Sequence, residues 1–280
     1  MPLPHEGSLA GRVAVVTGAS RGAGPAIAAV LGEAGATVYV TGRSSRAHPS
    51  PEGISGTVED AAEEVSLRGG KGIAAVVDHT RAEDVEGLFE RVRAEQGRLD
   101  LLVNNAWGGY EHHDYATFTA PFWEQPLSRW DGMFTAGVLA TLLASRFAAP
   151  LMIERGSGLI VSTIAWSFGE FLGNVYYDTA KAAIARMMFG MATELRPHAV
   201  AAIALAPGFM RTERVMLAHA QQPFPLEGTE SPEYLGRAVV ALAADPGILA
   251  KSGETLAVGE LAREYGFSDV DGSQPAAFRL

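Results

Sequence analysis

Cysteine is absent from the 280 residues. That excludes disulfides, a thiol nucleophile and thiolate-held metals, and it fits a cytoplasmic chain. Positive charge is scarce: 22 Lys and Arg face 32 Asp and Glu, a net charge of -10, with no sustained basic cluster. A nucleic-acid or anionic-membrane partner is therefore not expected. No uninterrupted apolar run approaches the roughly 18 residues of a membrane span. The N-terminus, MPLPHEGSLAGR, lacks the basic-then-apolar pattern of a secretory leader. No repeat recurs with a period of about 20–50 residues. His112, His113 and Asp114 adjoin one another, but sequence neighbours rarely face one ion and no further ligand is suitably spaced, so no metal is expected.

Hydrophobic residues make up 48% of the chain and charged ones 19%. This suits one large α/β domain over 1–280, with a core at about 10–259 and terminal extensions at 1–9 and 266–280. Short apolar runs alternate with helical patterns. Expected strands are Arg12–Thr17, Thr37–Thr41, Gly72–Val77, Leu99–Val103, Leu159–Ser162, Val200–Leu205 and Thr255–Val258. Pro25–Ala34 and Tyr176–Leu195 read as helices, the latter closed by Pro197. Continuous apolar strands between helices predict a Rossmann-type, doubly wound parallel sheet of about seven strands, helices on both faces. The segments 43–56, 106–126 and 211–231 read as loops. The acidic tail after Tyr265 is expected to fray or to pack on a neighbour.

Thr17-Gly18-Ala19-Ser20-Arg21-Gly22-Ala23-Gly24 joins the first strand to the first helix. Glycines there allow a tight turn and close approach to a pyrophosphate, while the helix N-terminus supplies free N–H groups. Where an NAD enzyme carries an acid after its second strand, this chain reads Thr41-Gly42-Arg43. Arg43 and Arg21 suit a 2′-phosphate, which predicts NADP(H).

Tyr177 and Lys181 stand four apart on the predicted helix and share one face. An ammonium near a phenol favours the phenolate, so Lys181 is expected to lower the Tyr177 pKa toward the working range of a proton donor.

With these motifs the chain resembles the short-chain dehydrogenase/reductase family from about Ala10 to Gly259. The glycine turn, Asp78, Asn104-Asn105-Ala106, Tyr177-x-x-x-Lys181 and Pro207-Gly208 with Thr212 match the family's segments in order. Phe122-Trp123-Glu124, Trp130-Asp131-Gly132 and Leu159-Ile160-Val161 look most like the subgroup that contains human dehydrogenase/reductase member 1. The resemblance implies cofactor contacts at Gly18, Ser20, Arg21, Gly22, Gly24, Arg43, Asp78, His79, Asn104, Ala106, Tyr177, Lys181, Pro207, Gly208 and Thr212. It implies a homodimer or homotetramer through the Tyr177 helix. It also implies Tyr177 as proton donor and Lys181 as its tuner, within a set that normally includes a Ser and an Asn.

Both of those are missing. Ile164 stands at the Ser position, thirteen residues before Tyr177, and Gly137 at the Asn position. Trp107 replaces the Gly that usually follows Asn-Asn-Ala. Thr163 and Ser162 are the candidate substitutes for the Ser, Ser167 is a third, and no substitute is an open alternative. Candidate substrate walls are Trp107, Tyr110, Trp166, Phe168, Phe209 and Met210, with Tyr115, Phe118, Phe122 and Trp123 as an outer rim; such an aromatic lining suits an apolar or aromatic small molecule. Glu170 and Asp178 are candidates for acid/base help near Tyr177, with Asp178 read first as a helix-start charge. The expected function is NADP(H)-dependent reduction of a ketone, aldehyde or C=N group. The alternatives are a non-redox reaction on the same scaffold, or a low-turnover NADP(H)-binding sensor or structural protein.

Overall fold

The computed structural model describes residues 7–50, 53–111, 117–166 and 169–279. Seven strands form one parallel sheet in the order β3-β2-β1-β4-β5-β6-β7. They are β1 Val13–Val16, β2 Thr37–Gly42, β3 Lys71–Val76, β4 Leu101–Asn104, β5 Gly158–Thr163, β6 Val200–Ala206 and β7 Thr255–Ala257. Each expected strand is found, with ends shifted by one or two residues. Six crossovers are needed to keep neighbours parallel, and each contains at least one helix. The helices are α1 Ala23–Glu33, α2 Val58–Leu67, α3 Ala82–Gln96, α4 Ala140–Arg155, α5 Val175–Leu195, α6 Glu213–Gln221, α7 Pro232–Ala244 and α8 Val258–Tyr265.

Strand alternation divides the core in two. Ala14 and Val16 of β1 join Ile27, Leu31, Leu235 and Val239 on the α1/α7 face. Val13 and Val15 join Phe89, Met152, Ile184 and Met188 on the α3/α4/α5 face. Helix starts are written in the sequence: Thr57 and Ser231 accept from the N–H groups of Asp60 and Tyr234, and Pro232 fills the first turn of α7.

Two expectations are corrected here, and one helix is longer than the sequence suggested. The segment 211–231 is not all loop, because Thr212 caps α6 by accepting from Val215 N–H. The tail does not fray; it lies on its own chain. Asp269 is buried and accepts from Ser231 N–H at 2.8 Å, while Arg237 donates to the Asp269 carbonyl at 3.1 Å. Finally, a π-helical stretch, Asp131–Leu139, runs unbroken into α4. The resulting helix, Asp131–Arg155, has 25 residues and is long and apolar enough to cross a membrane by length and composition. A core helix has the same composition, and Ala144, Ala148, Leu151 and Met152 are buried within the sheet-facing core.

Asp100 ties the lower edge of the sheet together. Its carboxylate is 3% exposed, accepts from Val13 N–H and Arg98 Nε at 2.8 Å each, and lies near Arg12 and Arg155. Asp100→Ala would orphan the Val13 N–H and release three guanidinium groups. The expected loss is about 2–3 kcal/mol in chemical denaturation; a variant as stable as the parent would show that this junction does not hold the sheet.

Candidate active site

The strand order reverses direction between β1 and β4, and a crevice opens at the C-terminal ends of the strands there. It holds a cavity of about 550 Å³ lined by the loops after β1, β2, β3, β4, β5 and β6. Gly18 turns the chain with φ 62°, and a Cβ there would lie 2.6 Å from Ala106 Cα. Glycine is therefore required by both backbone and space. Thr17 Oγ1 accepts from the N–H groups of Asn105 and Ala106 at 2.9 and 3.0 Å. Asn105 Nδ2 returns a bond to the Gly18 carbonyl at 3.0 Å.

Two carboxylates occupy the anion-binding parts of this crevice. Gly22 N–H, at the start of α1, donates to Glu213 Oε2 at 3.0 Å. Glu111 pairs with Arg43 and lies 3.6 Å from Arg21, which also donates to Ser44 Oγ at 3.0 Å. The helix N-terminus and the two arginines thus already hold negative charge, which is the property a dinucleotide phosphate would use. Asp78 and His79 also line the cavity. Burial works to raise the Asp78 carboxyl, but bonds from the Thr80 N–H and hydroxyl, with the Arg43 charge, hold it below its usual value. Burial pushes His79 down to about 4, so it is neutral, with Nε2 2.7 Å from Thr41 Oγ1. The residues present fit a dinucleotide.

The other half of the cavity contains Tyr177 and Lys181, both on α5. Asn174 sets that helix start: it accepts from Tyr177 N–H at 2.9 Å and donates to the Phe118 carbonyl and Gln125 Oε1 at 2.6 and 2.7 Å. The phenol ring lies among Trp107, Phe118 and Tyr110, at centroid distances of 5.6, 5.6 and 6.2 Å. Lys181 Nζ stands 3.6 Å from the Trp107 ring centroid and 5.7 Å from that of Tyr177. The expected tuning is corrected accordingly. Burial raises the Tyr177 phenol, a hydrogen bond from Tyr110 acts in the lowering direction, and burial pushes Lys181 down to about 7. The ammonium faces an indole more closely than the phenol, and it has lost its water.

Trp107 also accounts for Gly137. A Cβ on Gly137 would meet Trp107 Cζ3 at 2.6 Å. The indole fills the space where the family resemblance places an Asn side chain, and the neighbouring backbone is the π-helical stretch.

The substitutes for Ser separate clearly. Ser162 does not line the cavity: it is fully buried, accepts from Asn104 Nδ2 at 3.1 Å and donates to Met188 Sδ at 3.0 Å. Strand alternation turns it into the α5 face of the core, which corrects that expectation. Thr163 does line the cavity, with Oγ1 donating to the Asn104 carbonyl at 3.3 Å. Ile164 lines it too and is 3% exposed. Asn104 is another correction: its side chain is buried against Ser145 and Ser162, and Asn105 faces the crevice instead. Gly24 serves packing, since a Cβ there would lie 2.4 Å from the Gly18 carbonyl oxygen.

Gly18, Ser20, Arg21, Gly22, Arg43, Ala106, Pro207, Gly208 and Thr212 line the cavity as expected, as do Trp107, Tyr110, Trp166, Phe209 and Met210. Phe118 belongs to the lining rather than the rim, whereas Phe122 and Trp123 are exposed. Phe168, Ser167, Tyr115, His112, His113 and Asp114 lie outside the described residues. Glu170 does not line the cavity, and Asp178 accepts from Leu172 N–H at 3.2 Å, as a helix-start charge does. Sequence reasoning missed Asn105, which the two-residue alternation at a strand end could have separated from Asn104. It missed Asn174 and Glu213, which N-cap patterns could have marked. Phe278 reaches the cavity from the tail with no local signal.

The site and sheet define a dinucleotide-binding α/β enzyme. A short chain dehydrogenase family model matches residues 12–223. The chain is 41% identical over 274 residues to dehydrogenase/reductase SDR family member 1 of Mus musculus, covering 94% of this chain and 84% of that one. Among solved structures, a short chain dehydrogenase from Mycobacterium thermoresistibile superposes with TM-score 0.81 at 25% identity, over 96% and 95% of the two chains. A metagenomic short-chain oxidoreductase in complex with NADP superposes with TM-score 0.69 at 26% identity, over 89% and 97%. The chain belongs to the short-chain dehydrogenase/reductase family.

Two predictions arise from this geometry. Gly137→Asn should cost about 1–3 kcal/mol through overpacking against Trp107, and combining it with Trp107→Gly should recover part of that loss. A denaturation cycle with additive effects would disprove the complementarity. Glu230, 1% exposed, is pushed by burial up to about 7 from an unfolded value near 4.5, and Gly208 N–H bonds to it. Its folded form holds the proton more tightly, so its contribution is full below about 4.5 and is lost as pH rises through about 7. Glu230→Gln should flatten that decline by up to about 3 kcal/mol; unfolding curves at several pH values that run parallel in both proteins would refute it.

Proposed function

We propose that this enzyme uses NADP(H) to reduce a ketone, aldehyde or C=N group of a small apolar or aromatic substrate. The observation that carries the reading is one continuous cavity: the glycine turn with Arg21 and Arg43 at one end, Tyr177 and Lys181 at the other. The two guanidinium groups and the absence of an acid after β2 favour a 2′-phosphate. The structural relative that holds NADP lends support. The aromatic walls, Trp166, Phe118 and Phe209 among them, favour an apolar substrate.

When bound, the reduced nicotinamide supplies the hydride. Tyr177 supplies the proton to the substrate oxygen, and its raised pKa keeps that proton in place at neutral pH. Lys181, pushed to about 7, can exchange protons with its surroundings near neutrality. Asn174 fixes the start of the helix that carries both, so their geometry is set before substrate enters. Leu139, Leu142 and Phe189 remain exposed on the helices before and including α4 and α5, which supports a homo-oligomer through that face.

NADPH binding followed by fluorescence, and NADPH consumption against a carbonyl panel, test the reading. Tyr177→Phe should lower turnover by about 100-fold or more while leaving binding intact. Arg43→Ala should weaken NADPH about tenfold and NADH little. Tight NADPH binding with no consumption across the panel would refute a reductase, and a preference for NADH in the parent protein would refute the cofactor assignment.

A further inference from the structure

The arginine pair after β1 and β2 is closed by a carboxylate from a different loop. Glu111 Oε1 faces both guanidinium groups: it pairs with Arg43 Nη2 and lies 3.6 Å from Arg21 Nη2. Arg21 is also anchored to the β2 loop through Ser44, itself 5% exposed. The contact is more than a loose surface pair, because the side chains of Arg21 and Glu111 are only 20% and 19% exposed. The turn that carries Glu111 is tightly seated as well. Glu111 N–H donates to the Gly108 carbonyl at 3.0 Å. A Cβ on Gly108 would lie 2.6 Å from Ala136 Cβ, and one on Gly109 would lie 2.6 Å from the Trp107 ring. Glycine at both positions lets the turn press against the π-helical stretch and the indole, which delivers the carboxylate to one place.

Building on the NADP(H) reading, we propose that Glu111 is a specificity-determining residue, a built-in carboxylate that competes with the 2′-phosphate for Arg21 and Arg43 and narrows the preference for NADPH over NADH. The charges set the direction. Two guanidinium groups and one carboxylate leave a single net positive charge, and Asp78 lies close enough to Arg43 to feel it. A phosphate monoester brings about −1.5 to −2 charges. It repels Glu111 while Glu111 stays, and must supplant it to use both arginines. A 2′-hydroxyl is neutral and requires no such exchange. Glu111 therefore weakens NADPH and leaves NADH nearly untouched. Glu213 is the contrast. It accepts from Gly22 N–H at 3.0 Å, at the end of α1 that suits the pyrophosphate carried by both cofactors. It opposes both alike and sets no preference.

Glu111→Gln keeps the shape and removes the charge. Fluorescence titration with NADPH and NADH, and calorimetry with adenosine 2′,5′-bisphosphate and AMP, read the effect without turnover. In Glu111→Gln, NADPH and the bisphosphate should bind about three- to fivefold tighter, the range of a partly exposed ion pair, while NADH and AMP shift by less than about 1.5-fold. Glu213→Gln should tighten NADPH and NADH by the same factor. In an Arg43→Ala background the gain from Glu111→Gln should shrink, since the carboxylate has lost its nearer partner. Unchanged or weaker NADPH binding in Glu111→Gln would overturn the proposal. So would an equal gain for NADH, which marks a general charge effect, or a gain that persists at full size without Arg43. The cofactor reading fails separately: a parent protein that prefers NADH refutes that reading, while the bisphosphate-against-AMP comparison still decides the role of Glu111.

Discussion

The seam between β1 and β4 is the constraint on which the site depends. There the sheet changes direction, and the loops after the two strands must lie against each other without filling the crevice. Thr17 bonds two successive N–H groups from the opposite loop, and Gly18 passes Ala106 too closely for any Cβ. The helix that follows can then point its N-terminus into the cavity. The same seam places Trp107, the next residue but one after Asn105, opposite α5. Cofactor end and catalytic end are thus spaced by one strand junction.

What Trp107 does there shows why a catalytic set is better read in space than by position. A large ring entered from the β4 loop, and the facing helix position is glycine. The two departures complement each other: the indole fills the volume above Gly137. The consequence is electrostatic as well as steric. A buried ammonium on an aromatic face keeps some attraction for its charge but loses the water that would solvate it. Lys181 therefore sits near neutrality rather than well above it, and Tyr177 relies on its neighbours differently.

Much of this was legible in the chain. Alternating apolar strands and helices predicted the parallel sheet because strands covered on both faces leave a strong, short-range pattern. Tyr177 and Lys181 fell together because helix spacing fixes their relative position. Asn104 and Ser162 misled for a common reason: near the end of a strand, one residue of register decides between core and crevice, and both turn inward. The Lys181 effect on Tyr177 was misjudged because burial and the nearby Trp107 ring are properties of packing that no spacing reports. Phe278 could not have been foreseen, since its place depends on how the tail crosses α7 and α8. Tyr110 was legible as a wall of the cavity, and it lines the cavity.

The two carboxylates in the crevice follow from the same physics that made the site recognisable. N–H groups at a helix start and paired guanidinium groups cannot be left in a recess without counter-charge or solvent. This chain meets that demand from within: Glu213, in the first turn of α6, serves Gly22, and Glu111 serves Arg43 and Arg21. Any phosphate entering must exchange with these groups rather than fill bare positions, so the affinity it gains is the difference between two sets of charge-assisted bonds. Glu213 belongs to the segment after Pro207-Gly208, and Glu111 to the loop that carries Tyr110. Both carboxylates thus stand on elements that line the same cavity as Tyr177 and Lys181.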